Sequence, residues 1–99
     1  MLFGREDINA GVEEYRRTPG AVLLDVRETD EFQSGHIPGA VNLPLSRIEQ
    51  AKFEKNESIF AYCLRGTRSR QAACRLARMG YTKVRSIGGI TGYKGELER

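Results

Sequence analysis

Cys63 opens the run Cys63-Leu64-Arg65-Gly66-Thr67-Arg68-Ser69. A thiolate is a strong nucleophile, and this run holds what would make one. Gly66 accepts positive φ without penalty, so the backbone can curl tightly there. A tight curl turns successive N–H groups inward as a nest for negative charge. A helix starting just afterwards adds unpaired N–H donors and the positive end of its dipole. Arg65 and Arg68 bring full positive charges. A free cysteine ionises near pH ~8.5, and such surroundings lower that by one unit or more, each unit being worth ~1.4 kcal/mol. The run therefore predicts a thiol at Cys63 that is substantially ionised near neutral pH, within a nest that also accepts small anions. Taken alone, Cys-x-x-Gly is equally the pattern of a strand end followed by a turn. The elements on either side decide between the two.

Those elements alternate. Asp7 is placed to cap a helix over roughly 8–17, ended by Thr18-Pro19-Gly20. Ala21–Val26 is an apolar run of the kind buried on both faces of a sheet. A short helical turn, Thr29–Ser34, is stopped by Gly35; Ala40–Leu43 reads as a second strand; Pro44 and Ser46 begin a weak helix to about Lys52. Ser58–Cys63 is the clearest strand, followed by a helix from Thr67 or Arg68 to Met79, closed by Gly80. Lys83–Ile87 is the last strand, and Gly88-Gly89 turns into a final short helix around Ile90–Tyr93. Strands alternating with helices make an α/β domain with a mainly parallel sheet. Ligands of such sheets bind beyond the carboxyl ends of the strands, where Asp25, Arg27 and Cys63 fall.

The remaining candidates are weighed singly. Asp25 either helps order the loop after Cys63 or caps its own turn. Arg27 and Glu31, four apart, are in range for an ion pair across the short helical turn. His36, the one histidine, sits among Gly35, Pro38 and Gly39 and reads as a stitch within a shaped turn, because a nest-activated thiolate needs no base. Cys74 lies about 9 Å of helix rise beyond Arg68, at a position expected to be buried or half-buried.

The 99 residues suit one domain, 1–99, with 39% apolar and 29% charged residues and a net charge of +3. No apolar run approaches the ~20 residues of a membrane span. Met1–Asp7 has no signal-peptide pattern, so a cytoplasmic location is expected. Two cysteines make no disulfide framework, and with one histidine at these spacings they make no zinc site. Arg65, Arg68, Arg70, Arg75 and Arg78 cluster within fourteen residues, but no nucleic-acid-binding motif accompanies them. A solvated face or an anion site accounts for them.

Four segments together resemble the rhodanese-like domain family along nearly the whole chain. They are Leu23–Phe32, Gly35–Pro44, Tyr62–Ser69, and the pair Gly80–Val84 with Gly88-Gly89-Ile90. The resemblance implies a three-layer α/β fold around a mostly parallel five-stranded sheet. It implies Cys63 as carrier of a persulfide, with Leu64, Arg65, Gly66, Thr67, Arg68 and Ser69 forming the substrate loop and Asp25 and Arg27 supporting it. It implies a sulfurtransferase taking sulfur from thiosulfate or another persulfide donor, with Arg65 and Arg68 on the sulfonate oxygens. The sulfur would pass to cyanide or a thiol, including one on a thioredoxin-like protein, with no metal or organic cofactor required. The loop from Cys63 to Arg68 has six residues, the length typical of sulfur-handling members; related phosphatases and arsenate reductases use a loop one residue longer. A regulatory binding module is the other alternative, although many such modules lack the cysteine. Tyr93 stands where members often carry Trp, a packing variation.

Overall fold

The structure is a computed structural model that describes residues 6–99; the beginning of the N-terminal stretch read for a signal peptide, Met1–Arg5, lies outside them. Helix α1 spans Ile8–Arg16, and Asp7 caps it by accepting the amides of Asn9 and Ala10 at 3.0 and 3.3 Å. Strand β1 is Val22–Asp25, helix α2 Thr29–Ser34 and strand β2 Val41–Asn42. A 3-10 helix, Leu45–Gln50, leads to β3, Ser58–Cys63. Helix α3 is Thr67–Arg78, β4 is Lys83–Gly89, and a last 3-10 turn is Ile90–Gly92.

All strand pairings are parallel, in the order β2-β1-β3-β4. The sheet thus has four strands among the described residues, where the family resemblance implied five. The four segments read as strands in the sequence are the four that form it among the described residues. β3 lies in the middle because its residues are apolar on both faces, and five of the six are buried.

The alternation along β1 and β3 sorts the core into two layers. Leu24, Val26, Ile59, Ala61 and Cys63 face Ala72 and Leu76 of α3, with Ile48 and Tyr81. Leu23, Phe60 and Tyr62 face Ile8 and Val12 of α1, with Ile37, Ile87 and Ile90. Helices on both faces of one parallel sheet make the three-layer α/β arrangement. Fully burying one such aliphatic side chain contributes about 1.5–3 kcal/mol, so both layers hold β3 in place. Cys63 belongs to the α3 layer and ends the strand, which fixes the direction of its side chain.

Among the described residues, no helix is long and apolar enough to cross a membrane. Tyr93 packs on the α1 layer, and its hydroxyl accepts from Arg16 at 3.1 Å, so the aromatic position fills space as expected.

Candidate active site

Cys63 is 1% exposed, yet with Leu64, Arg65, Thr67 and Arg68 it lines a cavity of about 220 Å³. Beyond it the chain curls through Gly66, which has φ +106° and ψ −17°, the left-handed conformation for which glycine was expected. The curl brings the Gly66 amide to 3.0 Å from Cys63 Sγ. The amide of Ser69, in the first turn of α3, lies 3.4 Å from the same sulfur. Gly66, at the N-cap of α3, has no side chain to cap the helix; the Cys63 sulfur does so, by accepting the Ser69 amide that would otherwise have no partner. Ser69 Oγ stands 3.6 Å from the sulfur on its hidden side. Burial pushes the Cys63 thiol upward, but the Ser69 hydroxyl and the amides of Ser69, Gly66 and Arg65 outweigh it, leaving the thiol below its ordinary range.

The far wall of the loop is built by β4. Between Ala61 and Tyr62 the register with β4 shifts, so Ser86 faces Ala61 while Gly88 and Gly89 face Tyr62 and Cys63. This bulge lays the glycine pair along the loop. A Cβ on Gly89 would sit 2.3 Å from the Leu64 carbonyl oxygen, so the loop closes this tightly only over glycine. Thr91 then ties the Leu64 carbonyl with its amide at 3.3 Å and its hydroxyl at 3.2 Å.

The Rhodanese-like domain model matches residues 9–96. The chain belongs to the rhodanese-like domain family. It is 38% identical over 96 residues to the uncharacterized protein YqhL of Bacillus subtilis, covering 94% of this chain and 71% of that protein. It is 41% identical over 71 residues to the thiosulfate sulfurtransferase PspE of Escherichia coli, covering 68% of each. Its fold matches a solved rhodanese with anions from E. coli at TM-score 0.72 and 32% identity, covering 80% of this chain and 98% of that one.

Within this rhodanese-like frame the arginines divide differently from expectation. Arg27 does not pair with Glu31. It lies before α2 begins, so helical i,i+4 spacing does not apply, and it folds back on Asp25. Its Nε lies 3.0 and 3.1 Å from the two Asp25 oxygens and its Nη2 2.7 Å from Oδ2, with a further bond from Nη2 to the Gly35 carbonyl at 2.8 Å. Asp25 also accepts the Arg27 amide at 2.9 Å. Of its two readings, Asp25 follows the local one: it organises its own strand end. Its neighbour in register is Tyr62, which precedes Cys63.

Glu31 instead reaches across the mouth to Arg68, with bonds of 2.7 and 3.0 Å. Its Oε1 also accepts the Glu28 amide at 2.9 Å, completing the capping box of α2. Arg68 is therefore committed to a carboxylate, and Arg65 is the exposed cation of the loop. Thr67 is exposed at the rim, Leu64 is half-buried, and Ser69 is fully buried, so the Ser69 side chain meets the sulfur rather than an incoming donor. Sequence reasoning missed the Glu31–Arg68 pair and the place of Ser86. An acid in the first turn of α2 was visible, but nothing local names its partner.

The hydrogen bonds from Arg68 hold Glu31 at about 2, down from 4.5, against the opposing effect of burial. A carboxylate depressed by folding contributes stability that is complete above the unfolded value and fades as pH falls from about 4.5 toward about 2. The two side chains are 29% and 31% exposed, so solvent screening limits the pair to roughly 1 kcal/mol. Glu31→Gln is predicted to destabilise by that amount at neutral pH in urea unfolding, with the gap to wild type narrowing in acid. A gap that does not change with pH would contradict the assignment.

Cys74 is exposed, a correction to the expected buried or half-buried position. Its neighbours Ala72 and Leu76 occupy the buried face of α3, and residue 74, between them, points away. His36 behaves as a stitch. Its Nδ1 lies 3.0 Å from the Phe32 carbonyl, its ring stacks on Phe32 at 3.8 Å, and its backbone exchanges two 2.8 Å bonds with Glu98.

Proposed function

We propose that this chain is a sulfurtransferase that carries sulfur as a persulfide on Cys63. One observation carries the reading: a sulfur ending a buried strand, facing two amides and a hydroxyl at the floor of a cavity with an exposed arginine at its rim. The relatives named thiosulfate sulfurtransferase, such as PspE, support the same reaction class.

The Cys63 thiolate attacks the outer sulfur of thiosulfate. A new S–S bond forms, the old one breaks, and sulfite leaves with its electron pair. The inner sulfur of the Cys63–S–S⁻ product keeps its amide partners, while the charge on the outer sulfur lies in the cavity. Cyanide or a thiolate then attacks that outer sulfur, and Cys63 leaves as a thiolate again. Two half-reactions through one covalent intermediate give ping-pong kinetics. Arg65 and the open amides of the loop meet the sulfonate oxygens, while Arg68 stays with Glu31. A thiol acceptor on a thioredoxin-like protein fits the same chemistry. A catalytic thiol stays reduced in the cytoplasm, the location proposed for this chain.

The test is intact mass after thiosulfate treatment. One added sulfur is expected in wild type and in Cys74→Ser, and none in Cys63→Ser. An adduct that disappears only in Cys74→Ser would overturn the assignment.

A further inference from the structure

Ser69 is fully buried and its oxygen has more partners than one proton can serve. It lies 3.6 Å from Cys63 Sγ, 3.0 Å from the Gly66 carbonyl and 2.7 Å from the hydroxyl of Ser86. Ser86 comes from β4, opposite Ala61. It lies two residues from Val84, which packs on the α3 layer, so strand alternation turns Ser86 to that layer too. The shortest contact of the Ser69 hydroxyl is thus with a polar side chain on an otherwise apolar strand face.

The direction of this bond depends on the charge of the sulfur. A Cys63 thiol can donate to Ser69, leaving the Ser69 proton for Gly66 or Ser86. A Cys63 anion can only accept. The full charge of the sulfur then draws the Ser69 proton in competition with the Gly66 carbonyl at 3.0 Å and the Gly88 carbonyl at 3.5 Å, and the lone pair of Ser69 is free to accept from Ser86. That donation polarises the Ser69 O–H and strengthens its bond to the anion. If the Ser86 hydroxyl is removed, the nearest acceptor left to Ser69 is the Gly66 carbonyl, closer than the sulfur by the distances above.

We propose that Ser86 is a positioning residue for the sulfur centre: its hydroxyl sets the direction of the Ser69 hydroxyl so that the Ser69 proton faces Cys63 when the sulfur is charged. The role rests on the reading of Cys63 as the sulfur carrier. The other groups acting on the sulfur are the amides of Gly66, Ser69 and Arg65 and the charge of Arg68, itself held by Glu31. None of them contacts Ser86 through its side chain, so a substitution there leaves them in place.

The test is the rate of Cys63 alkylation by a small reagent as a function of pH, in a Cys74→Ser background. Alkylation requires no turnover. Ser86→Ala is expected to raise the midpoint by about half to one pH unit, the size of one ordinary hydrogen bond expressed as a titration shift. Ser86→Thr and Ser86→Val share one shape and differ in the hydroxyl; the midpoint should stay for Thr and rise for Val. In a Ser69→Ala background, Ser86→Ala should add nothing, because its effect passes through Ser69. An unmoved midpoint in both Ser86→Ala and Ser86→Val would overturn the proposal. So would an undiminished Ser86→Ala shift in the Ser69→Ala background. A Cys63 inert to alkylation with both serines present would instead overturn the sulfur-carrier reading beneath it.

Discussion

Cys63→Ser is expected to lower thiocyanate formation from thiosulfate and cyanide by about a thousandfold or more. The substitution keeps the size of the side chain and its place at the end of β3. It removes the one atom that can be a stable anion at neutral pH and accept a sulfur. The same donors, the Gly66 and Ser69 amides, would then face a hydroxyl that stays protonated. Because the residue caps α3 through its side chain, Ser at position 63 retains a capping oxygen, and unfolding should move little. Steady-state rates and urea unfolding, measured together, separate the two effects. Cys74→Ser should leave both near wild type, since Cys74 is exposed. A Cys63→Ser protein with substantial turnover would contradict the mechanism.

The second large effect is on stability. Asp25 is 0% exposed and Arg27 4%, and each satisfies the other. Asp25→Ala strands a buried guanidinium, whose lost partner should cost about 3–5 kcal/mol. Replacing both residues by apolar ones of similar size should recover much of that loss, because the desolvation of both charges is then avoided. Urea unfolding of Asp25→Ala and of Asp25→Leu/Arg27→Met tests the pair. A loss below about 1 kcal/mol in Asp25→Ala would place the interaction in the surface class and contradict its buried role.

The legible parts of this molecule were those set by local chemistry. Asp7 as a cap, Gly66 as a left-handed turn and Ser58–Cys63 as a doubly buried strand each follow from residue type and immediate neighbours, and each stands in the structure. From them the direction of Cys63 and the start of α3 followed as well. The misread parts depend on residues far apart in the chain. Glu31 and Arg68 are 37 positions apart, and no spacing rule joins them. Arg27 precedes α2, so the helical spacing that suggests Glu31 does not reach it, and it pairs with Asp25 instead. The exposure of Cys74 turns on which stripe of α3 meets the sheet; Ala72 and Leu76 mark that stripe, but the flanking alanines hide its edge. Ser86 offered one faint signal, a hydroxyl residue on the same strand face as Val84. Its meaning comes only from the register that sets β4 beside β3 and under Ser69.

On the proposed mechanism, backbone amides and one serine hydroxyl make the buried sulfur of Cys63 an anion near neutral pH. Its most direct test is the pH titration of that thiol in the folded Cys74→Ser protein, followed by thiolate absorbance. The expected midpoint lies clearly below the ~8.5 of a free cysteine. A midpoint at or above that value would mean that burial prevails over the hydrogen bonds, and would contradict the sulfur-carrier mechanism.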